Sequence, residues 1–133
     1  MERTPRIVKF VRVELKDKPA NRCVAHVELM HQSGTACVGT VEGGCAPEAT
    51  LMSAAQATAQ ALLQAVGTGE DLLDIAGVEL SQPIGRPTVF ASVSAYYFRQ
   101  RRELVGCCLV DGDPARAAAL AVLNATNRFL GIG

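Results

Sequence analysis

The stretches that decide the fold are residues 43–67, GGCAPEATLMSAAQATAQALLQAVG, and residues 111–131, DGDPARAAALAVLNATNRFLG. In each stretch a glycine-containing turn leads into a proline, then into an alanine-rich run, and the run stops at a glycine. Proline suits the first turn of a helix and glycine suits the residue after its end. Pro47 and Pro114 therefore mark two helix starts, Gly67 and Gly131 mark the ends, and Asp113 is a good N-cap for the second helix.

Three β-leaning segments precede each predicted helix. Residues 7–15 mainly alternate between apolar and polar side chains, and a period of two is typical of a strand. The predicted strands are residues 7–15, 22–30 and 35–41 in the first half and residues 75–80, 88–98 and 103–110 in the second. Turns at residues 32–34 and 99–102 join hairpins. Because Val41-Glu42-Gly43 also matches Val110-Asp111-Gly112, the sequence predicts a duplicated strand-strand-strand-helix unit.

The predicted class is α+β, because strands joined by hairpins pair antiparallel. The sequence leaves open whether the strands form one sheet or two packed on the helices. The chain has 133 residues, 49% of them hydrophobic, which is enough for one core. We therefore expect a single domain, residues 1–133, whose units 1–67 and 68–133 meet at a Gly-Thr-Gly seam too short to separate independent domains.

Composition excludes several classes of function. Thirteen basic residues balance thirteen acidic ones, so no positive field favours nucleic acid. Apolar runs near the N-terminus are short and are interrupted by Arg12, Glu14 and Lys16, which predicts neither a signal peptide nor a membrane span. Five cysteines, an odd number without C-x-x-C spacing, predict mostly buried, reduced thiols in a cytoplasmic protein. No motif indicates a cofactor.

The helices have few charges. The first has none between Glu48 and Glu70, and the second has none between Arg116 and Arg128, whereas a solvent-facing helix normally carries a charged stripe. A small domain has a large surface for its volume, so we expect a second chain or a larger partner to cover these helices, most simply in a homodimer. Their many alanines indicate either close helix packing or only strong helix propensity.

Two segments carry a resemblance to a known family. Residues 117–130, AAALAVLNATNRFL, resemble the last helix of the C-terminal regulatory domain of the 2-isopropylmalate synthase and citramalate synthase family. Residues 43–49, GGCAPEA, are similar to the turn that opens the first helix of that domain. The family's domain consists of two such units, dimerises, and binds a branched-chain amino acid as feedback inhibitor. The resemblance implies an allosteric amino-acid sensor that controls a separate catalytic subunit.

The two predicted helix N-termini are the candidate ligand site. Backbone N–H groups and the positive end of a helix dipole can hold a small carboxylate. The candidate residues are Gly43, Gly44, Cys45 and Ala46 at the first helix and Gly112 and Asp113 at the second. Ordinary capped helix starts are the simpler alternative, since Glu48 and Asp113 already supply negative charge there.

Cys45 is also the best candidate nucleophile, because a helix N-terminus favours a reactive thiolate. The two histidines, His26 and His31, are not placed by sequence to act as its base, so a buried or partly buried small side chain is the simpler interpretation. Cys23 and His26 are predicted on opposite faces of a strand, and we therefore predict no metal site. Asn124 and Asn127 are predicted as buried amides with a structural role.

Three functional hypotheses follow from these observations. The first is a non-catalytic regulatory domain that dimerises and binds a small amino-acid-like carboxylate. The second is an assembly module that keeps only a dimerising surface. The third is a small enzyme that uses Cys45.

Overall fold

A computed structural model describes residues 7–67 and 69–132 of the chain. Residues 1–6, Thr68 and Gly133, which the predicted unit boundaries include, lie outside the described residues. The elements in chain order are β1 (Val8–Lys18), β2 (Arg22–His31), β3 (Ala36–Gly44), α1 (Pro47–Val66), β4 (Leu72–Ser81), β5 (Thr88–Tyr97), β6 (Gln100–Leu109) and α2 (Pro114–Leu130). The predicted α+β class and the duplicated strand-strand-strand-helix unit are therefore confirmed.

The strands form two separate antiparallel sheets. The first sheet has the order β1-β2-β3 and the second has the order β4-β5-β6. No ladder joins the two sheets in the described part of the chain. The question of one sheet or two is thus answered: each unit builds its own sheet, and its helix follows directly.

Several predicted boundaries are corrected. β1 runs to Lys18 rather than to residue 15, and β3 runs to Gly44 rather than to residue 41. The turn between β5 and β6 is Phe98-Arg99 alone, and Arg101 and Arg102 lie in β6, paired with Tyr96 and Ala95. Phe98 and Arg99 have φ values of 52° and 61°. A two-residue turn with two positive φ values matches the twist of the flanking strands, so the ladder starts directly after it. β4 begins at residue 72 rather than 75, because its first residues already pair with the end of β5.

The core lies between the sheets and the helices. Alternate residues of the central strands are buried, and these are Cys23, Ala25, Val27 and Leu29 in β2 and Val89, Ala91, Val93 and Ala95 in β5. Helix α1 packs on β2 and β3 and also contacts β4 and α2, whereas α2 packs on β5 and β6. One chain therefore covers both helices by itself. Their lack of charge does not require a second chain, although the small size of the domain led us to expect one.

Each helix approaches the last strand of its own sheet closely. A Cβ atom on Gly39 of β3 would overlap the Ala57 carbonyl group of α1, and one on Gly106 of β6 would overlap the backbone of Ala121 and Ala125 in α2. Close packing is thus one reason for the alanine-rich helices. The two glycines, like the two helix-opening prolines, are 67 residues apart. The tripeptides Val41-Glu42-Gly43 and Val110-Asp111-Gly112, which we matched by sequence, differ from this spacing by two residues. They are therefore not equivalent positions of the two units.

Glutamines of α1 cover the free edge of β3. Gln64 pairs with both backbone groups of Val38, accepting from its N–H at 3.0 Å and donating to its carbonyl oxygen. Gln60 accepts from the Thr40 N–H at 3.1 Å. Asn124 of α2 accepts from the Cys107 N–H of β6 at 3.4 Å. Backbone groups that the ladder leaves unpaired are therefore satisfied by side-chain amides.

We expect Gln64→Glu to lower the free energy of unfolding by about 1–2 kcal/mol, because the carboxylate cannot donate to the Val38 carbonyl and repels it. Gln60→Glu is the matched control, since a carboxylate still accepts from the Thr40 N–H, and we expect it to change stability by less than about 0.5 kcal/mol. Urea unfolding at neutral pH measures both. Equal losses for the two variants would contradict the paired amide at Val38.

Candidate functional site

The predicted ligand residues lie in two separate turns, one in each unit. Gly43 and Gly44 end β3, and Cys45 and Ala46 form an exposed turn before α1. The second turn holds Gly112 and Asp113, both exposed, before α2. The fold therefore gives each unit its own helix N-terminus.

The two helix N-termini differ in how they are capped. The Asp113 carboxylate accepts from the Ala115 N–H at 3.0 Å, so it caps α2 and already places a negative charge there. Ala46 occupies the N-cap position of α1 and offers no side chain to the first N–H groups. The first N–H groups of α1 thus lack a side-chain cap, whereas α2 has one.

A groove lies between β3 and β4 above one side of α1, and we call it the α1 groove. Its volume is about 540 Å³. Its lining combines aliphatic side chains with two amides and one carboxylate: Val41, Gln56, Ala59, Gln60, Leu63, Leu73, Asp74 and Ile75. None of the six predicted ligand residues belongs to it. A mixture of apolar walls and a few polar groups is typical of small-molecule sites.

The second unit has a counterpart, the α2 groove, of about 240 Å³. It is lined by Val8, Phe10, Cys107, Cys108, Leu120, Leu123, Asn124 and Asn127. In the register of the two repeats Asn127 takes the place of Gln60, and Val8 that of Ile75. Asn124 is exposed and Asn127 half-buried, so the prediction of two buried amides was wrong. The groove, not the core, receives these side chains.

The grooves were missed at the sequence level, although one signal was present. Gln56, Gln60 and Gln64 recur every four residues in a helix whose one charged residue is Glu48. Residues four apart lie on the same helix face, so this spacing defines one amide-bearing side of α1. That β4 would form the opposite wall cannot be read from the spacing.

Neither histidine lies beside Cys45 as a base. His26 is on the outer face of β2, where its Nδ1 contacts the Thr40 hydroxyl at 3.2 Å. His31 ends the same strand, and its Nδ1 contacts the Ser33 hydroxyl at 2.9 Å. Cys23 faces inward from β2, so it and His26 lie on opposite faces, as predicted. The Cys45 thiol has no general base of the histidine type next to it.

All five cysteines are free thiols. Cys23 and Cys37 are buried, whereas Cys45 and Cys107 are exposed and Cys108 is intermediate, so the prediction of mostly buried thiols was wrong. The interpretation of Cys45 as a buried or partly buried small side chain was also wrong, because the turn before α1 projects it to the surface.

The outer faces of the two sheets differ in chemistry. The first sheet carries ion pairs, among them Arg12–Glu28 at 3.2 Å and Arg22–Glu42 at 3.5 Å. The second sheet has a shallow depression of about 430 Å³ whose lining includes Phe90, Ser92 and Val105. Val105 is 71% exposed. We call this depression the β5 face. An exposed apolar patch of this kind is typical of interaction surfaces.

In the described part of the chain, no helix is both long enough and apolar enough to cross a membrane. Comparison of the sequence with protein-family models and with curated proteins found no match. The resemblance to the regulatory domain therefore rests on the two segments quoted above and on the order of the elements.

Proposed function

We propose that the chain is a non-catalytic, cytoplasmic regulatory domain that binds a small amino-acid-like ligand as a homodimer and controls a separate enzyme. The duplicated unit, with three antiparallel strands before each helix, supports the proposal because it agrees with the family resemblance. The observation that carries the proposal is the α1 groove, whose lining has the chemistry that an aliphatic amino acid requires.

The groove offers a partner for each part of such a ligand. Gln60 uses its Oε1 to accept from Thr40, so its amide N–H groups remain to donate to a carboxylate. Asp74 supplies a negative charge for an ammonium group on the β4 side. Val41 and Leu63 supply aliphatic contacts for a branched side chain. A branched-chain amino acid therefore suits the groove better than a phosphate or a polycarboxylate.

The turn of residues 43–46 is a second candidate seat for the ligand carboxylate. The specific observation in its favour is that Ala46 leaves the first N–H groups of α1 without a side-chain cap. The groove has the advantage of apolar walls, which the exposed turn lacks. We therefore place the ligand in the groove and use the turn as the competing location.

The test is thermal unfolding of the protein against a panel of free amino acids and of 2-keto and 2-hydroxy acids. We expect a saturable rise in melting temperature with an aliphatic amino acid, since a ligand at a hundredfold its Kd adds about 2.7 kcal/mol to stability. An unchanged melting temperature across the panel would contradict ligand binding and favour the assembly module.

Two variants distinguish the α1 groove from the turn of residues 43–46 as the binding site of the ligand carboxylate. Gln60→Glu keeps the bond from Thr40 but presents a negative charge in the groove, so we expect affinity to fall by about tenfold or more. Ala46→Asp adds a capping carboxylate, and we expect it to stabilise α1 by about 1 kcal/mol without weakening the ligand. The opposite result, lost binding in Ala46→Asp alone, would place the ligand at the turn.

A further inference from the structure

Three side chains, from β1, β2 and the turn after β3, meet at one end of the first sheet. Asp17 of β1 pairs with Cys23 of β2, and Cys23 pairs with Gly43 of β3, so the three form one row across the sheet. Cys45 follows Gly43 by two residues. The two thiol sulfurs and a carboxylate oxygen of Asp17 all lie within 4.8 Å of one another. We call Asp17, Cys23 and Cys45 the thiol cluster.

The thiol cluster is anchored on one side and open on the other. Cys23 is 4% exposed and is held among the inward-facing residues of β2. Cys45 and Asp17 are exposed. A small ion can therefore reach the sulfur of Cys23 through the two exposed partners, and solvent can complete its coordination.

The electrostatics of the thiol cluster favour a cation. Asp17, Cys23 and Cys45 all become negative when they lose a proton, and they lie together, with Cys23 buried. Their ionised forms would repel one another, and no ion pair joins Asp17 to a basic side chain within residues 7–67 and 69–132. Three basic residues lie next to this row in the ladder, Lys16, Lys18 and Arg22, and the last two pair with Glu42. A bound divalent cation would supply the missing positive charge.

The donor set indicates which cation. Two thiolates and one carboxylate suit zinc and similar borderline-soft divalent ions rather than calcium or magnesium, which prefer oxygen ligands. In a tetrahedral zinc site with Zn–S bonds of about 2.3 Å the two sulfurs are about 3.8 Å apart. The ligand atoms of the thiol cluster therefore need to move by no more than about 1 Å to reach that geometry.

We propose that Asp17, Cys23 and Cys45 bind one divalent cation of the zinc type and leave its fourth position open to solvent. A disulfide between the two cysteines is the competing use of the same pair, but it gives Asp17 no role. The cation site goes beyond the proposed regulatory function, because it depends on Asp17 and Cys23, which the ligand proposal does not use.

The test is titration of the full chain, kept reduced with a phosphine, with Co²⁺ and then with Zn²⁺. We expect a thiolate-to-cobalt absorption band that saturates at one ion per chain and disappears when Zn²⁺ displaces the cobalt. Cys23→Ser, Cys23→Ala and Cys45→Ser are expected to lose the band. Asp17→Asn is expected to weaken cobalt binding by roughly tenfold or more.

Cys37→Ser and Cys107→Ser are the controls and are expected to keep the band, with far-UV circular dichroism showing that every variant is folded. A wild-type protein without the band, or a band that survives in both Cys23→Ala and Cys45→Ser, would overturn the site. A Cys23–Cys45 disulfide found by peptide mapping of oxidised protein, together with no cobalt band after reduction, would assign the pair to redox chemistry instead. The thermal-unfolding panel of amino acids is repeated in the presence of a chelator, which removes bound metal. A rise in melting temperature there supports the ligand proposal whatever the outcome for the cation site.

Discussion

Gly39→Ala is expected to lower the free energy of unfolding by about 3 kcal/mol or more, or to prevent folding. The added Cβ would overlap the Ala57 carbonyl oxygen and would lie 2.7 Å from its carbonyl carbon. Both partners are backbone, so no side-chain rotation can relieve the overlap. The helix must move away from the sheet, and α1 would then lose packing against β2 and β4 as well.

Gly77→Ala is the matched control for this substitution. Gly77 is also a strand glycine, but nothing lies within 4 Å of the Cβ that it would gain. We expect its stability to equal that of the wild type or to rise by up to about 1 kcal/mol, because alanine restricts the unfolded chain. Thermal and urea unfolding of the two variants make the comparison, and equal stabilities would mean that helix and strand are not in the close contact described.

The second large effect concerns association. If the proposed homodimer forms through the β5 face, Val105→Lys should convert it into a monomer, because a charge inside an interface must be desolvated without a partner. Val105 is 71% exposed in the single chain, so the substitution should leave its fold intact. Size-exclusion chromatography with light scattering is the measurement, and circular dichroism monitors the fold.

Val38→Lys provides the control, since Val38 takes the place of Val105 in the register of the two repeats. It lies on the outer face of the first sheet, which carries the ion pairs and which we do not expect to associate. We expect Val38→Lys to keep the oligomeric state of the wild type. A wild-type chain that is monomeric at all concentrations, or a Val105→Lys variant that stays dimeric, would exclude the β5 face as the contact.

Much of the fold could be predicted from local signals. The prolines at residues 47 and 114 and the glycines at 67 and 131 placed both helices, because capping chemistry depends on only a few neighbouring residues. The turn at Phe98-Arg99 could not be predicted in this way, since neither residue favours a positive φ by itself. The pairing of β5 with β6 determines the length and the conformation of this turn.

The candidate sites were harder to predict because their parts come from different strands, helices and turns. The α1 groove needs β4 beside α1, and the thiol cluster needs β1, β2 and the turn after β3 at one end of a sheet. The spacing of Cys23 and His26 was correctly interpreted, yet the true neighbours of Cys23 are Asp17 and Cys45. Contacts between residues so far apart in sequence depend on strand register, which a single sequence does not specify.

The amides of Gln60 and Gln64 have a consequence for the behaviour of the protein at high concentration. An open strand edge is a template on which strands of other molecules can add, and repeated addition leads to fibrillar aggregates. At β3 the groups that would accept such a strand are already occupied by the chain's own helix. The helix thereby limits how the first sheet can grow, and a molecule that loses α1 locally would expose the edge and become a seed for aggregation.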